Sequence, residues 1–306
     1  MNYYIYRLIF KTPVHFGNGR LNGSMGVIYA DTLFSALCCE AVMLYGQEGA
    51  KMLYDATEEG KLLLSDTMPC SDKLYLPKPM TLIESNDRGD SSLKKKFKNL
   101  KYIPVEDLKS YLMGNYTPKE TYFGKEDIRG CVHIKDEEDP EPFDVGIYDF
   151  IHNEKGKQGA GLYFIAALSA DFVNTFDDIM TSLSYSGIGG KRSSGYGKFD
   201  FVKKENTSLQ KRLEGDFKLY MSLSLSMSEG EELKSIMPNA SYELIKRSGF
   251  VFSENYADTP LKKRDMYCFK SGACFDRRFK GRVFDVSANG KHPVYRYAKP
   301  LLFGIM

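Results

Sequence analysis

Histidine is scarce in this 306-residue sequence, with only His15, His133, His152 and His292 present. General acid–base cleavage usually draws on at least one imidazole, so few positions are open to it. Six cysteines (Cys38, Cys39, Cys70, Cys131, Cys268 and Cys274) include no CxxC pair and no paired metal-ligand spacing. That argues against a zinc site or a disulfide framework and for free thiols in a reducing compartment. No carboxylate pair and no Ser/His/Asp or Cys/His order is recognisable, so neither a metal nor an organic cofactor is expected. Met1–Arg7 shows no basic region leading into an apolar core, and no apolar run approaches a membrane span. The expectation is a soluble, cytoplasmic protein with no membrane partner.

An excess of one charge sign is lacking too, since the net charge is +2. A bulk nucleic-acid binder would carry more, but the charges here are segregated. Between Pro260 and Pro300 eleven Lys and Arg face three acids; between Glu126 and Asp144 eight acids face two bases. Such a chain can offer one face to a polyanion and another to a basic protein, although any single run also serves to solvate a loop. Hydrophobic residues are plentiful at 42%, enough for one large domain or two ordinary ones.

Tyr3–Phe10 reads as a strand rich in aromatic and β-branched residues. After a glycine-bearing loop from Lys11 to Gly26, Asp31 looks like an N-cap. Behind it Leu33, Phe34, Leu37, Cys38, Ala41, Leu44 and Tyr45 recur at helical spacing. A short helix near Glu48–Thr57 and a strand at Leu62–Leu64 follow. Ser85–Pro118 is polar, with Lys94, Lys95, Lys96 and Lys98 close together and one amphipathic piece at Val105–Leu112. Two extended segments, Ile128–Ile134 and Asp144–Ile151, flank an acidic, proline-containing tip. We expect a protruding hairpin inside an insertion spanning about residues 85–161. Leu162–Leu168 is an apolar strand, Phe172–Leu183 a helix, and Phe199–Val202 a strand. The order completes a β-α-β-β-α-β unit, the ferredoxin-like arrangement.

Beyond a polar linker, Phe217, Leu219, Met221, Leu223, Leu225 and Met227 alternate with small or polar residues, the least ambiguous strand pattern in the chain. An acidic turn is expected at Glu229–Glu232. Short strands are expected near Gly249–Phe252, Asp265–Lys270, Arg282–Val286 and Val294–Tyr297. We therefore divide the chain into residues 1–205 and a sheet-rich second domain, 206–306, a degenerate copy of the first.

The densest chemical signal is Ser186–Lys198, with Gly187, Gly189, Gly190, Gly195 and Gly197 around Lys191, Arg192, Ser193, Ser194 and Tyr196. Glycines permit positive φ and bring bare amides to a partner, and the cations make that partner an anion. A Walker loop would need glycine at Tyr185 and Ser or Thr at Arg192; a dinucleotide fingerprint would need glycine at Arg192. Both fail. A helix precedes this loop instead of following it, so the helix end adjoining the loop carries partial negative charge. An anion must be held by loop amides, Lys191, Arg192 and the hydroxyls of Ser193 and Ser194, which suits a nucleic-acid backbone. A structural glycine turn whose cations neutralise the helix end is the alternative, and sequence chemistry leaves both open. His15, Arg277, Arg278 and Arg296 are further candidate RNA contacts, the last between Tyr295 and Tyr297. Those tyrosines suit a core as well as a stacking platform.

The glycine loop in a helix–loop–strand setting resembles that of RAMP proteins, the ferredoxin-like RNA-binding subunits of CRISPR systems. Pro13–Gly17, Asp31–Leu37, Phe123–Ile128, Ser186–Gly197 and Pro293–Pro300 together resemble, more narrowly, the fourth Csm subunit of type III-A effector complexes. The resemblance implies an α+β chain of two ferredoxin-like (RRM-like) RAMP domains, with a protruding thumb insertion in the first. It implies a non-catalytic subunit in antiviral defence that holds the 5′ tag of the CRISPR RNA. Implied partners are that RNA, the large polymerase-like Csm subunit, a backbone RAMP subunit, and target RNA near the tag–guide boundary. The alternatives are a metal-independent endoribonuclease with His15 as base, and a scaffold without RNA contact.

Overall fold

The computed structural model describes residues 1–83, 91–133, 141–152, 159–205, 209–253 and 255–306. Strand β1 (Asn2–Phe10) is followed by helices α1 (Ala30–Tyr45) and α2 (Gly49–Glu58) and by three short strands. These are β2 (Leu62–Leu64), β3 (Met68–Cys70) and β4 (Tyr75–Pro77). The insertion then supplies α3 (Ser91–Asn99), β5 (Tyr102–Pro104), α4 (Leu108–Leu112) and the long strands β6 (Gly124–His133) and β7 (Glu141–Phe150). β8 (Gly161–Leu168), α5 (Val173–Ser186) and β9 (Phe199–Glu205) close this half.

Its sheet runs β2-β8-β1-β9, with β3 also on β8 and every pairing antiparallel. The period-two pattern of β1 explains its two burials. Tyr6, Leu8 and Phe10 point at α1 and α5, meeting Leu33, Phe34, Leu37, Phe176, Ile179 and Leu183. Tyr3 and Ile5 point the other way, joining Tyr163, Ile165, Met221, Leu223, Phe303 and Ile305. β8 is consequently buried at every position from Gly161 to Leu168. Each large side chain so buried contributes about 1.5–3 kcal/mol, and neither sheet face is left open for stacking bases.

β6 and β7 pair from Gly124↔Phe150 to His133↔Glu141, making the expected hairpin; of its acidic tip, 136–142, residues 136–140 lie outside the described residues and Glu141 and Pro142 begin β7. The root of the hairpin is fastened to the loop after β1. Val14 and Tyr148 exchange backbone bonds of 2.9 and 2.8 Å, and the Gly146 amide donates to Leu21 O at 2.9 Å.

The C-terminal half contains α6 (Gln210–Glu214), β10 (Tyr220–Ser222), α7 (Gly230–Ile236), β11 (Leu244–Arg247) and β12 (Met266–Phe269). β13 (Cys274–Phe275), β14 (Arg282–Asp285), β15 (Tyr295–Ala298) and β16 (Leu302–Gly304) complete it. β10 is the centre of a three-stranded sheet, while β11–β12 and β14–β15 are separate ladders.

Several expectations are corrected. The alternating run 217–227 yields only the three-residue β10, and its serines are buried with its aliphatics instead of facing water. Ser224 Oγ donates to Lys299 O at 2.9 Å and accepts from Leu301 N at 2.7 Å, so side-chain bonds interrupt the ladder at Ser224, while Leu223 N and Met227 N still donate to Leu301 O and Ala298 O, both at 2.9 Å. Asp31 does not cap α1. The cap position is Tyr29, and Ala30 N donates to Asp66 Oδ1 at 2.7 Å. The acidic turn at 229–232 opens α7, and Gly249–Phe252 forms one bridge, Phe250↔Lys262, in place of a strand.

Candidate nucleic-acid interface

α5 stops at Ser186, where Gly187 turns the chain at φ 81° and donates its amide to Leu183 O at 2.8 Å. Gly197 at φ 76° closes the loop, its amide on Pro13 O at 2.9 Å and its carbonyl taking Ile188 N at 2.9 Å. Between them Gly190 donates to His15 O at 2.9 Å, where a Cβ would stand 2.7 Å from His15 Cδ2. The loop is therefore zipped to residues 13–15. The amides of Gly187, Ile188, Gly190, Ser194, Gly195 and Gly197 all serve the protein's own carbonyls. The expected cradle of bare amides narrows to Gly189, Lys191, Arg192, Ser193 and Tyr196, which have no backbone acceptor among the described residues.

Lys191 has φ 59°, the one non-glycine residue with positive φ among the described residues. Its ammonium lies 4.7 Å from the centroid of Phe143 on the hairpin. Ser193 and Ser194 are exposed in a short 3₁₀ turn, and Arg129 of the hairpin stands 5.9 Å from the Tyr196 ring. Arg192 is partly committed. It reaches the fully buried Glu40 at 3.4 Å and covers the Phe252 ring at 5.3 Å. Glu40 also accepts from Ser182 Oγ at 2.7 Å and Ser186 Oγ at 3.0 Å, which ties α1, α5 and the loop together.

His15 is buried, and its Nδ1 lies 2.6 Å from Gly146 O, so Nδ1 carries the proton and donates to the hairpin backbone. The imidazole thus links loop, β1 exit and hairpin. Its ring also lines a cleft of about 730 Å³ between the glycine loop, α1 and the C-terminal half.

Arg296 lies in this cleft, buried, donating to Arg247 O at 2.5 Å and standing 3.9 Å from Asp31. Tyr297 beside it is core, its hydroxyl accepting from Leu64 N at 2.8 Å. Arg277 and Arg278 lie outside the cleft lining. Arg277 pairs with Asp276 at 3.0 Å, and Arg278 donates to Leu213 O and Gly215 O at 2.7 and 2.9 Å. Three lining residues escaped the sequence reading: Arg247, Phe252 and Lys263. Arg247 forms a bidentate pair with Asp31, both bonds 2.9 Å, and covers Tyr29 at 4.8 Å. Nothing in sequence joins residues 31 and 247. Glu40 did leave a sign, as an acid three residues after Leu37 on the apolar stripe of α1.

The cleft offers cations, hydroxyls and aromatic rims, the equipment for holding an anion with flat rings. Among the described residues no group of three or more His, Cys, Asp or Glu is placed to hold a metal. Among them, too, no helix is long and apolar enough to cross a membrane.

The RAMP superfamily model matches residues 7–200, which contain the sheet, the hairpin and the glycine loop. The CRISPR Csm4 C-terminal domain model matches residues 216–305. Two proteins named "CRISPR system Cms protein Csm4" align along the whole chain. That of Mycobacterium tuberculosis (strain ATCC 25618 / H37Rv) is 35% identical, covering 100% of this chain and 98% of its own. That of Streptococcus thermophilus is 32% identical, covering 99% of each. The chain belongs to the Csm4 family of the RAMP superfamily. In fold it is similar to a chain of the Csm3-Csm4 subcomplex in the type III-A CRISPR-Cas interference complex (TM-score 0.67, 15% identity, 99% of each covered). It is similar also to a chain of the Csm1-Csm4 cassette in complex with AMPPNP (TM-score 0.65, 17% identity, 100% of this chain and 98% of that one).

Proposed function

We propose that this chain is a non-catalytic subunit of a type III-A CRISPR interference complex, holding the 5′ tag of the CRISPR RNA in the cleft beside the glycine loop. The large Csm1 subunit and the backbone subunit Csm3 are its protein partners, as the Csm1-Csm4 and Csm3-Csm4 assemblies of its structural relatives suggest. In this reading residues 1–205 are one ferredoxin-like RAMP domain with the insertion at about 85–161, which carries the β6–β7 hairpin, as its thumb, near target RNA at the tag–guide boundary. Residues 206–306 are the second, degenerate domain. Lys191, Arg192, Ser193 and Ser194 meet phosphates and sugars, and His15 holds the loop in place.

One observation carries the reading: among the described residues the lone positive-φ non-glycine is a lysine, in a loop that uses glycine at its other positive-φ positions. A left-handed conformation costs an ordinary residue roughly 1–2 kcal/mol, which glycine would avoid. A cation kept at that cost is kept for its charge. Lys191→Gly should leave the melting temperature within about 2 °C of the parent, since strain relief and added chain entropy oppose each other. Complexes assembled with it should lose guide RNA at lower salt than the parent complex. Full retention, with RNA crosslinks confined to other subunits, would instead make the chain a scaffold. Repeat RNA incubated with the protein without metal should stay whole; a discrete cut abolished by His15→Ala would make it a processing nuclease.

A further inference from the structure

The cleft wall facing the glycine loop is contributed by the C-terminal half, and its charges do not balance. Lys191, Arg192, Arg247, Lys263 and Arg296 line the cleft against two carboxylates, Asp31 and Glu40. Glu40 answers Arg192, and Asp31 answers Arg247, with Arg296 second in line. Lys191, on the loop against Phe143, and Lys263, on the facing wall, are left over. No carboxylate among the described residues lies within ion-pair distance of the Lys263 ammonium. Burial, then the neighbouring Arg296, holds its pKa below the ordinary lysine value. A half-enclosed ammonium facing a guanidinium is unfavourable until an anion joins them. The same cleft is lined by Phe252, 73% exposed, and Met43, 74% exposed, flat or deformable apolar surfaces of the kind on which a base stacks. The Phe252 ring already carries Arg192 on one side.

We propose that Lys263 and Arg296 form a second phosphate site on the C-terminal wall of the cleft. It takes a phosphate ester of single-stranded RNA while Lys191 holds another on the glycine loop, so that the strand is pinched between the two halves. This rests on the reading that the cleft holds RNA. The ester is either a diester within the strand or a phosphate at its 5′ end, and both use the same pair of cations. The base attached to it lies against Phe252, and Arg247 keeps Asp31 from competing for Lys263.

The test uses the assembled complex carrying Lys263→Met, which keeps most of the side-chain stem and removes the charge. Its melting temperature should hold or rise, because a half-enclosed cation without a carboxylate has gone. Guide RNA should dissociate several-fold faster, and the slope of log affinity against log salt should fall by about 0.7, the value for one phosphate contact on a single strand. In the parent, retention should weaken as pH rises through the lowered lysine pKa; in the variant that dependence should vanish. Equal loss for guides with and without a 5′-phosphate identifies an internal diester, and loss confined to phosphorylated guides identifies the terminal one. An unchanged slope in Lys263→Met, alongside RNA release by Lys191→Gly, removes the second site and leaves the glycine-loop site standing. Retention in both variants overturns the cleft reading itself, and the second site with it.

Discussion

Asp66 lies in the connection between β2 and β3, buried, with its Oδ1 accepting Ala30 N at 2.7 Å and Leu225 N at 2.9 Å. Its Oδ2 has no partner among the described residues. Desolvation, opposed by those two amides and by Ser271, pushes its pKa from 3.8 up to about 7. The folded state therefore holds a proton that the unfolded chain releases, so stability falls as pH rises from about 4 to about 7. Asn at this position keeps an oxygen for both amides and cannot ionise. Asp66→Asn should shrink the drop in melting temperature between pH 5 and pH 8 by roughly half. An undiminished drop would place the titration elsewhere. The sequence carried no sign of this group, because Ser65-Asp66-Thr67 reads as an ordinary polar turn. Lys191, by contrast, was legible at once, since it sits inside a cluster of glycines and its chemistry is local.

At the scale of elements, the legible ones were those whose burial pattern is complete within a short stretch. β1, α1, β8 and α5 each bury a face against one another, so their periodicity survives in the sequence. The run at 217–227 misled because Ser222, Ser224 and Ser226 are buried as well, and Ser224 spends its hydroxyl on Lys299 O and Leu301 N where the strand breaks. β13 and β16 are too short, at two and three residues, to leave a pattern at all. The glycine loop was recognisable, yet which amides remain available depends on residues 13–15, far away in the chain. Its closure can be broken by one methyl group. A Cβ at Gly197 would lie 2.1 Å from Ile188 O, at a φ of 76°. Gly197→Ala should cost roughly 2–4 kcal/mol and lower the melting temperature by about 5–10 °C, with guide retention falling in step. Unchanged stability would mean that the loop is less tightly zipped to residues 13–15 than its bonds indicate.

For the molecule as a whole, the sheet of the first half owes one of its two faces to the second. Tyr163 and Ile165 share a core with Met221, Leu223, Phe303 and Ile305. A chain cut after residue 205 would lay that face bare. It should aggregate or bind hydrophobic dye, and calorimetry of the full chain should give a single transition. A soluble fragment melting with the parent would show the halves to be independent. The shared core was not legible in sequence, because no local pattern says which half covers which face. The shared cleft adds an ordering in time. Lys191 and its glycines are synthesised about a hundred residues before Arg296, which completes the facing wall beside Asp31. On a growing chain the loop emerges with half a grip. In the proposed reading, capture of a strand between both walls must wait until the second half has been made and has docked, and RNA retention would then report a finished fold.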